Sequence, residues 1–318
     1  MPAVIVALGP VDDLVAERLR PFGEVVIAES DADQRALLPD AVGLIARATS
    51  TVDQALLDSA PNLRVIGRTG IGVDRVDLDA ASARSVPVVV TPSAGTRAVA
   101  EGALTLALHL LKRIGRYTTL VREGRWTQRN AFTANDLDGA VVGLVGYGRI
   151  GRRVAELARA FGASVLVYDP YLRPADADGV TVADLPRVLT GSDVLSLHAP
   201  LTPETRHLLG EAELSQVKPG AILVNCARGG LLDLDAVHAA LLDGRLGGVG
   251  LDVYDPEPPV DHPLFHHPDV ALTPHIMGIS ARAWHRTCAD MATGMAAVLG
   301  GGRADHVANP EVYREVPA

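Results

Sequence analysis

Two groups of residues in this chain combine type and spacing in a way that can do chemistry. The first is Gly146, Gly148 and Gly151, a G-x-G-x-x-G spacing that directly follows the apolar run Val141–Val145 and opens a helical pattern. The second is spread over three short motifs, each just past a strand-like run: Arg228 in NCARGG (Asn225–Gly230), Glu257 in DVYDPEPP (Asp252–Pro259) and His275 in TPHIMG (Thr273–Gly278). A histidine with a carboxylate is a proton donor of adjustable pKa, and an arginine is a fixed, bidentate clamp for a carboxylate. Singly, Arg228 reads equally as a surface cation, Glu257 as a solvated acid among prolines and His275 as a loop cap. Beside a dinucleotide-binding element, the three together read as a catalytic set.

The glycines point to a dinucleotide because each has its own task. Gly146 permits a tight turn, Gly148 lets the backbone approach a pyrophosphate, and Gly151 lets the helix lie close to the strand. The helix N-terminus presents unpaired N–H groups to the anion. Ile150, Val154, Leu157, Ala158 and Phe161 share one helical face, Gly162 ends the helix, and a second strand, Ser164–Tyr168, closes at Asp169. That acid lies close to the roughly 20 residues beyond the glycines at which a ribose-binding carboxylate is expected. The competing reading is a βαβ unit with a glycine turn and a solvated Asp169.

These residues need a scaffold to hold them. Strand-like runs at Val4–Ala7, Glu24–Ile27, Gly43–Ala46, Val65–Gly67 and Val88–Val90 alternate with helical patterns at Asp12–Arg20, Asp31–Leu38, Asp53–Ser59 and Leu78–Ser85. That rhythm predicts a parallel sheet with helices on both faces, whose ligand crevice is made by the loops after the strands. Arg47–Thr51 (RATST) and Arg68–Asp74 (RTGIGVD) are therefore candidate binding loops. Gly70 and Gly72 can aim successive N–H groups at a carboxylate as an anion nest, or simply turn the chain from strand to helix. Arg97–Ile114 reads as a long helix carrying the chain into a second domain, with Glu101 in its first turn a structural acid. A polar loop, Gly124–Asp138, follows it. Beyond Asp169, strands at Asp193–Leu197, Ala221–Asn225, Gly248–Asp252 and Val270–Leu272 and helices at Val182–Thr190, Glu211–Gln216 and Asp233–Asp243 complete a six- or seven-stranded sheet. A last helix, Ser280–Leu299, has Ser280 as N-cap and Gly300–Gly302 as its stop.

Composition narrows the function. The 318 residues suffice for two domains, and 48% apolar with 21% charged residues reads as globular throughout. A net charge of −9 without a Lys/Arg block gives nucleic acid no electrostatic footing. Two cysteines, Cys226 and Cys288, make no disulfide framework and no metal-ligand spacing, which fits a reducing compartment. No run approaches the ~18 apolar residues of a membrane span, and the first residues lack a basic stretch, so a cytoplasmic, membrane-free protein is expected.

The chain resembles the D-isomer-specific 2-hydroxyacid dehydrogenases over nearly its whole length. The resemblance is carried by RTGIGVDRVD (Arg68–Asp77), GLVGYGRIG (Gly143–Gly151), YDP (Tyr168–Pro170), HAPLTPETRHLL (His198–Leu209), NCARGG, DVYDPEPP and Pro274–His275. It implies an Arg–Glu–His catalytic set falling on Arg228, Glu257 and His275. It implies NAD contacts at Gly146, Gly148, Arg149, Ile150, Gly151, Asp169, Ala199, Pro200, Cys226, Ala227, Arg228, Asp252, His275 and Gly278. A substrate carboxylate would be held by Gly70, Ile71 and Gly72, with Arg47, Arg228 and His275 beside the substrate. The implied fold class is α/β with two Rossmann-like parallel-sheet domains: a flavodoxin-like substrate domain, residues 1–96 with 283–318, and an inserted dinucleotide-binding domain, residues 97–282. Members of the family are usually homodimers built on the cofactor domains.

The implied reaction moves a hydride between NAD(H) and the C2 position of a 2-oxo or D-2-hydroxy acid, with His275 supplying or taking the proton. The short form, without a regulatory domain, is expected. Arg75, Thr96 and Met277 depart from residues common in relatives, and all three border the expected substrate site. A non-catalytic NAD-sensing scaffold is the alternative from another class, and the intact Arg–Glu–His set argues against it. Formate oxidation on the same fold is disfavoured by Glu257, where formate dehydrogenases carry Gln.

Overall fold

The computed structural model describes residues 3–313; residues 1, 2 and 314–318, at the outer ends of the expected first domain, lie outside the described residues. The chain divides into two compact units, Met1–Gly95 with Ile279–Ala318, and Thr96–Gly278.

In the first unit, β1 (Val4–Ala7), α1 (Asp13–Leu19), β2 (Glu24–Ile27), α2 (Asp31–Leu37), β3 (Ala41–Ala46), α3 (Gln54–Asp58), β4 (Val65–Arg68), α4 (Leu78–Ala83) and β5 (Val88–Val89) alternate along the chain. The strands form one parallel sheet in the order β2-β1-β3-β4-β5, the flavodoxin-like arrangement. Both faces are apolar because both are covered. Val6, Leu44, Ala46 and Ile66 point into one cluster with Leu57, Ala80 and Ala81, while Ile5, Ala7, Ile45 and Val65 point into the other with Val15 and Leu19.

In the second unit, α5 (Thr96–Leu111) and α6 (Ile114–Arg122) precede β6 (Val141–Val145), α7 (Arg149–Ala160), β7 (Ser164–Tyr168), β8 (Thr181–Val182), α8 (Leu185–Gly191), β9 (Val194–Leu197), α9 (Glu211–Leu214), β10 (Ala221–Asn225), α10 (Leu234–Leu242), β11 (Leu246–Leu251) and β12 (Val270–Leu272). Their seven-stranded parallel sheet runs β12-β11-β10-β9-β6-β7-β8, the doubly wound dinucleotide-binding order with its reversal between β6 and β9. The chain then returns to the first unit as α11 (Ala281–Leu299). Met291, Ala292 and Met295 of this helix complete the cluster of Ile5 and Val65. Gly67 is side-chain-free for this reason: a Cβ there would run into Met295 Sδ.

Helix starts follow capping chemistry. Asp12, Ser30, Asp53, Asp77, Asp184, Asp233 and Ser280 each accept a first-turn amide through the side chain. Three expectations are corrected. The single helix predicted over Arg97–Ile114 ends at Leu111, because Arg113 takes a left-handed φ of 53° and a separate helix, α6, starts at Ile114. Val182, predicted helical, pairs with Val167 as a short strand, and helix α8 begins only after its cap Asp184. On α7, Ile150, Val154, Leu157 and Ala158 pack inward with Gly151 and Ala155, but Phe161, the C-cap, is 50% exposed. Gly151 lies against the glycine turn, and Ala155 and Ala158 share a core cluster with Ala100, Ala103 and Ala107 of α5, where two helices pack closely. Among the described residues no helix is long and apolar enough to cross a membrane.

Candidate active site

The Arg–Glu–His set is assembled by three neighbouring strands. Arg228 follows β10, Glu257 follows β11 and His275 follows β12, and these strands are adjacent in the sheet, about 4.8 Å apart. His275 Nδ1 and Glu257 Oε2 are 2.8 Å apart. Since an ionised carboxylate only accepts, Nδ1 carries the donated hydrogen and Nε2 is the nitrogen that gains or loses a proton. His275 holds a left-handed φ of 53°, so its loop needs anchoring on both sides.

The anchors were partly invisible beforehand. Asp252, 2% exposed, takes Thr273 Oγ1 at 2.6 Å and Ile276 N–H at 2.9 Å on one oxygen, and Met277 N–H at 3.1 Å on the other. Sequence reading marked Asp252 as a cofactor contact and did not anticipate this bracing of the His275 loop. Asn225, fully buried, braces the arginine loop: its Oδ1 accepts the Ala227 N–H at 3.0 Å and its Nδ2 donates to the Arg228 carbonyl at 2.9 Å. Tyr254 donates its amide to Glu257 Oε1 at 3.0 Å. Gly229 must lack a side chain, because a Cβ there would strike the carbonyl of Tyr254. Asn225, Tyr254 and Thr273 all lie inside the motifs that drew attention, but only their hydrogen bonds reveal their tasks.

Electrostatics suit the pair to proton transfer. The hydrogen bond to Glu257 raises the His275 pKa above its ordinary value; burial opposes this, the charges of Glu257 and Asp252 add to it, and Arg228 opposes it. Burial pushes the Glu257 carboxyl up, yet the hydrogen bonds from His275 and Tyr254 N–H hold it below the usual range. Cys226 is buried just past the end of β10, where burial, with the charge of Asp252, pushes its thiol up to about 12, a setting unfavourable to thiolate formation.

The glycine turn lies at the sheet's reversal point. Gly146 has a φ of 97°, and a Cβ there would sit 2.7 Å from the carbonyl of His198, just past β9. A Cβ on Gly151 would meet the carbonyl oxygen of Gly146, whereas one on Gly148 meets nothing within 4 Å. The space over Gly148, at the start of α7, is thus the open approach to unpaired helix amides. Asp169 ends β7 and accepts the Tyr147 N–H at 2.8 Å and the Tyr171 N–H at 2.9 Å, fixing its carboxylate against the glycine turn. Arg173, the nearby cation that could favour a phosphate there, forks onto Asp176 at 2.8 and 3.2 Å. Arg149 is exposed at the start of α7, Ile150 half-buried, and Ala199 and Pro200 follow β9 in the loop past His198. Gly278 is the last residue of the second unit.

The first unit has its own reversal point, between β1 and β3. Arg47 follows β3 there, its side chain lies against Gly9, and its guanidinium stacks over Trp284 at 5.1 Å. Gly70 turns with a φ of 146° and gives its N–H to the Arg68 carbonyl at 2.9 Å, while Ile71 is 49% exposed.

Comparison with known proteins identifies relatives of this chain. Residues 104–277 match the family model described as D-isomer specific 2-hydroxyacid dehydrogenase, NAD binding domain. The D-3-phosphoglycerate dehydrogenase of Mycobacterium tuberculosis is 39% identical over 308 residues, covering 95% of this chain. The chain spans only 57% of that relative's length. The TT0316 protein of Thermus thermophilus superposes with a TM-score of 0.89 at 36% identity, covering 96% of this chain and 99% of that one. The D-lactate dehydrogenase of Aquifex aeolicus, solved with NAD and lactic acid, gives 0.85 at 27% identity, covering 99% and 100%.

The cofactor is NAD, and the residues present fit it: an open glycine turn at a helix N-terminus and a carboxylate fixed at the end of the second strand. Two glycine variants separate the roles of the turn. Gly151→Ala should destabilise the protein by about 1–3 kcal/mol in urea unfolding, because overpacking forces the turn apart. Gly148→Ala should unfold like wild type but bind NADH at least about tenfold more weakly by fluorescence titration. The opposite pattern would misplace the cofactor.

Proposed function

The chain belongs to the D-isomer-specific 2-hydroxyacid dehydrogenase family, and on that premise we propose that it interconverts a 2-oxo acid and its D-2-hydroxy acid. The carrying observation is the 2.8 Å His275–Glu257 contact, beside Arg228 on the next strand but one. NAD, when bound, supplies the hydride for reduction or accepts it in oxidation. Arg228 orients the substrate through a bidentate grip on its carboxylate. His275 Nε2 gives its proton to the carbonyl oxygen in reduction and takes it back in oxidation, while Glu257 stabilises the imidazolium. Within the first unit, the Ile71 and Gly72 amides and the Arg47 guanidinium offer a place for an anion, the Gly70 N–H being already given to the Arg68 carbonyl. An NAD sensor without turnover would have no use for a histidine tuned in this way.

Reduction needs His275 protonated, so it should persist below the raised pKa and fall as pH rises through it; oxidation should rise over the same window. Glu257→Gln lowers that pKa, and the falling limb must then move to lower pH. Measuring kcat/KM over about pH 5 to 10 with glyoxylate, pyruvate, hydroxypyruvate, phenylpyruvate and 3-phosphohydroxypyruvate tests the pair and ranks the substrates together. An unmoved limb removes Glu257 from the pair; no turnover with any acid, in a protein that binds NADH, removes the enzyme reading.

Arg228→Lys keeps the charge but loses the planar fork. Activity should fall on the order of a hundredfold, in substrate KM and kcat alike, with NADH affinity nearly unchanged. Turnover near wild type would exclude the clamp.

The protein should also work as a homodimer through its cofactor unit. Ile114 and Val121 of α6 are 48% and 61% exposed, and Trp126 in the following turn is 62% exposed, a run of apolar surface suited to a second copy. Light scattering should give twice the 33.3 kDa chain mass. Val121→Arg with Trp126→Glu should shift it toward monomer, and a monomeric wild type would contradict the proposal.

A further inference from the structure

We infer that the hydroxyl of Tyr254 is a positioning group for proton transfer, tying the loop that carries Glu257 to the loop that carries His275. The inference rests on the acid–base reading of those two residues and adds a member to their support.

Tyr254 reaches both loops at once. Its backbone N–H donates to Glu257 Oε1 at 3.0 Å, while the other oxygen of that carboxylate meets His275 Nδ1 at 2.8 Å. Its hydroxyl donates to the carbonyl of Thr273 at 2.9 Å, two residues before His275, and lies 3.3 Å from the Leu251 carbonyl at the end of β11. The contacts close a circuit from Tyr254 through Glu257 and His275 to Thr273 and back to Tyr254. Asp252 secures the amides on the far side of His275, at Ile276 and Met277. The Tyr254 hydroxyl secures the near side, so the left-handed residue is held from both directions.

Packing alone does not call for a hydroxyl here. The ring stands edge-on to Phe265 with centroids 5.6 Å apart, a contact that phenylalanine would make equally well. What the oxygen adds is a directional bond to one carbonyl. Burial, with the charges of Asp252 and Glu257, pushes the phenol up to about 12, so the donor keeps its hydrogen across the range in which His275 titrates. The charged groups acting on His275 are Glu257, Asp252 and Arg228, none of which the removal of a phenolic oxygen alters directly.

Tyr254→Phe is the test, read against His275→Ala. The Phe variant should bind NADH like wild type, yet lose about three- to tenfold in kcat/KM for 2-oxo acid reduction, chiefly in kcat. The falling limb of its pH profile should shift to lower pH as His275 loses its alignment with Glu257. Wild-type kcat and an unmoved limb overturn the inference, and so does a lowered melting temperature with both unchanged, which marks a purely structural hydroxyl. Should Tyr254→Phe not fold, 3,5-difluorotyrosine at this position keeps the ring and lowers the phenol's pKa. Activity should then drop where that phenol ionises, and an unchanged profile overturns the inference. If His275→Ala retains full turnover, the acid–base reading itself fails, an outcome distinct from an inert Tyr254→Phe.

Discussion

Asp252 sits almost out of reach of water at the end of the middle strand of the catalytic three, where an unpartnered carboxylate would be costly. It is kept there by three donors, one hydroxyl and two amides, all from the segment Thr273–Met277. The dependence runs both ways. The amides of Ile276 and Met277 point at one spot only while the backbone between them and Thr273 makes a tight turn, and that turn forces His275 into a left-handed conformation. A residue of ordinary helical or extended backbone at this position would swing the imidazole off Glu257. The buried anion also adds to the fields that raise the His275 pKa and push the Cys226 thiol up. One side chain thus braces the shape of the site and adds to its potential.

The Arg228 loop follows the same logic with a neutral group. Asn225 uses both ends of its amide, accepting from Ala227 and donating to Arg228, so a sharp exit from β10 leaves no buried polar atom of that side chain unpaired. Absence serves elsewhere: Gly146 and Gly151 in the glycine turn, and Gly229 in the arginine loop, each occupy a place where a single methyl carbon would collide with a backbone carbonyl. Polar braces and missing side chains are alternative means to one end, holding short loops rigidly above a sheet whose strands supply the spacing.

Much of this was legible in the sequence, for identifiable reasons. Strands covered on both faces read as uninterrupted apolar runs, and the cap residue Ser280 marks a helix start by local chemistry alone. The G-x-G-x-x-G turn, Arg228, Glu257 and His275 stood out because their residue types are unusual just past a strand. Other features depend on partners distant in the chain. The break between α5 and α6 hangs on the backbone of Arg113, a residue with no intrinsic preference for that conformation. The strand at Thr181–Val182 exists only because Val167 is there to pair with it. Phe161 fits the helical period of the inward face, but α7 ends there, and as the C-cap its ring stays outside. The braces Asn225, Tyr254 and Thr273 look like ordinary motif filler until their hydrogen-bond partners are known.

The first unit is built from both ends of the chain, and this bears on how the protein comes into being on the ribosome. Its strands emerge early, but the face formed by Ile5, Ile45 and Val65 is covered only in part, by Val15 and Leu19 of α1, until Met291, Ala292 and Met295 of α11 arrive. The second unit, encoded wholly between those two pieces, is complete before they meet. Domains usually fold in the order of synthesis. Here the order inverts, so the half that begins first finishes last, and its exposed apolar sheet must be kept from wrong partners while some 180 residues of its neighbour are made and folded.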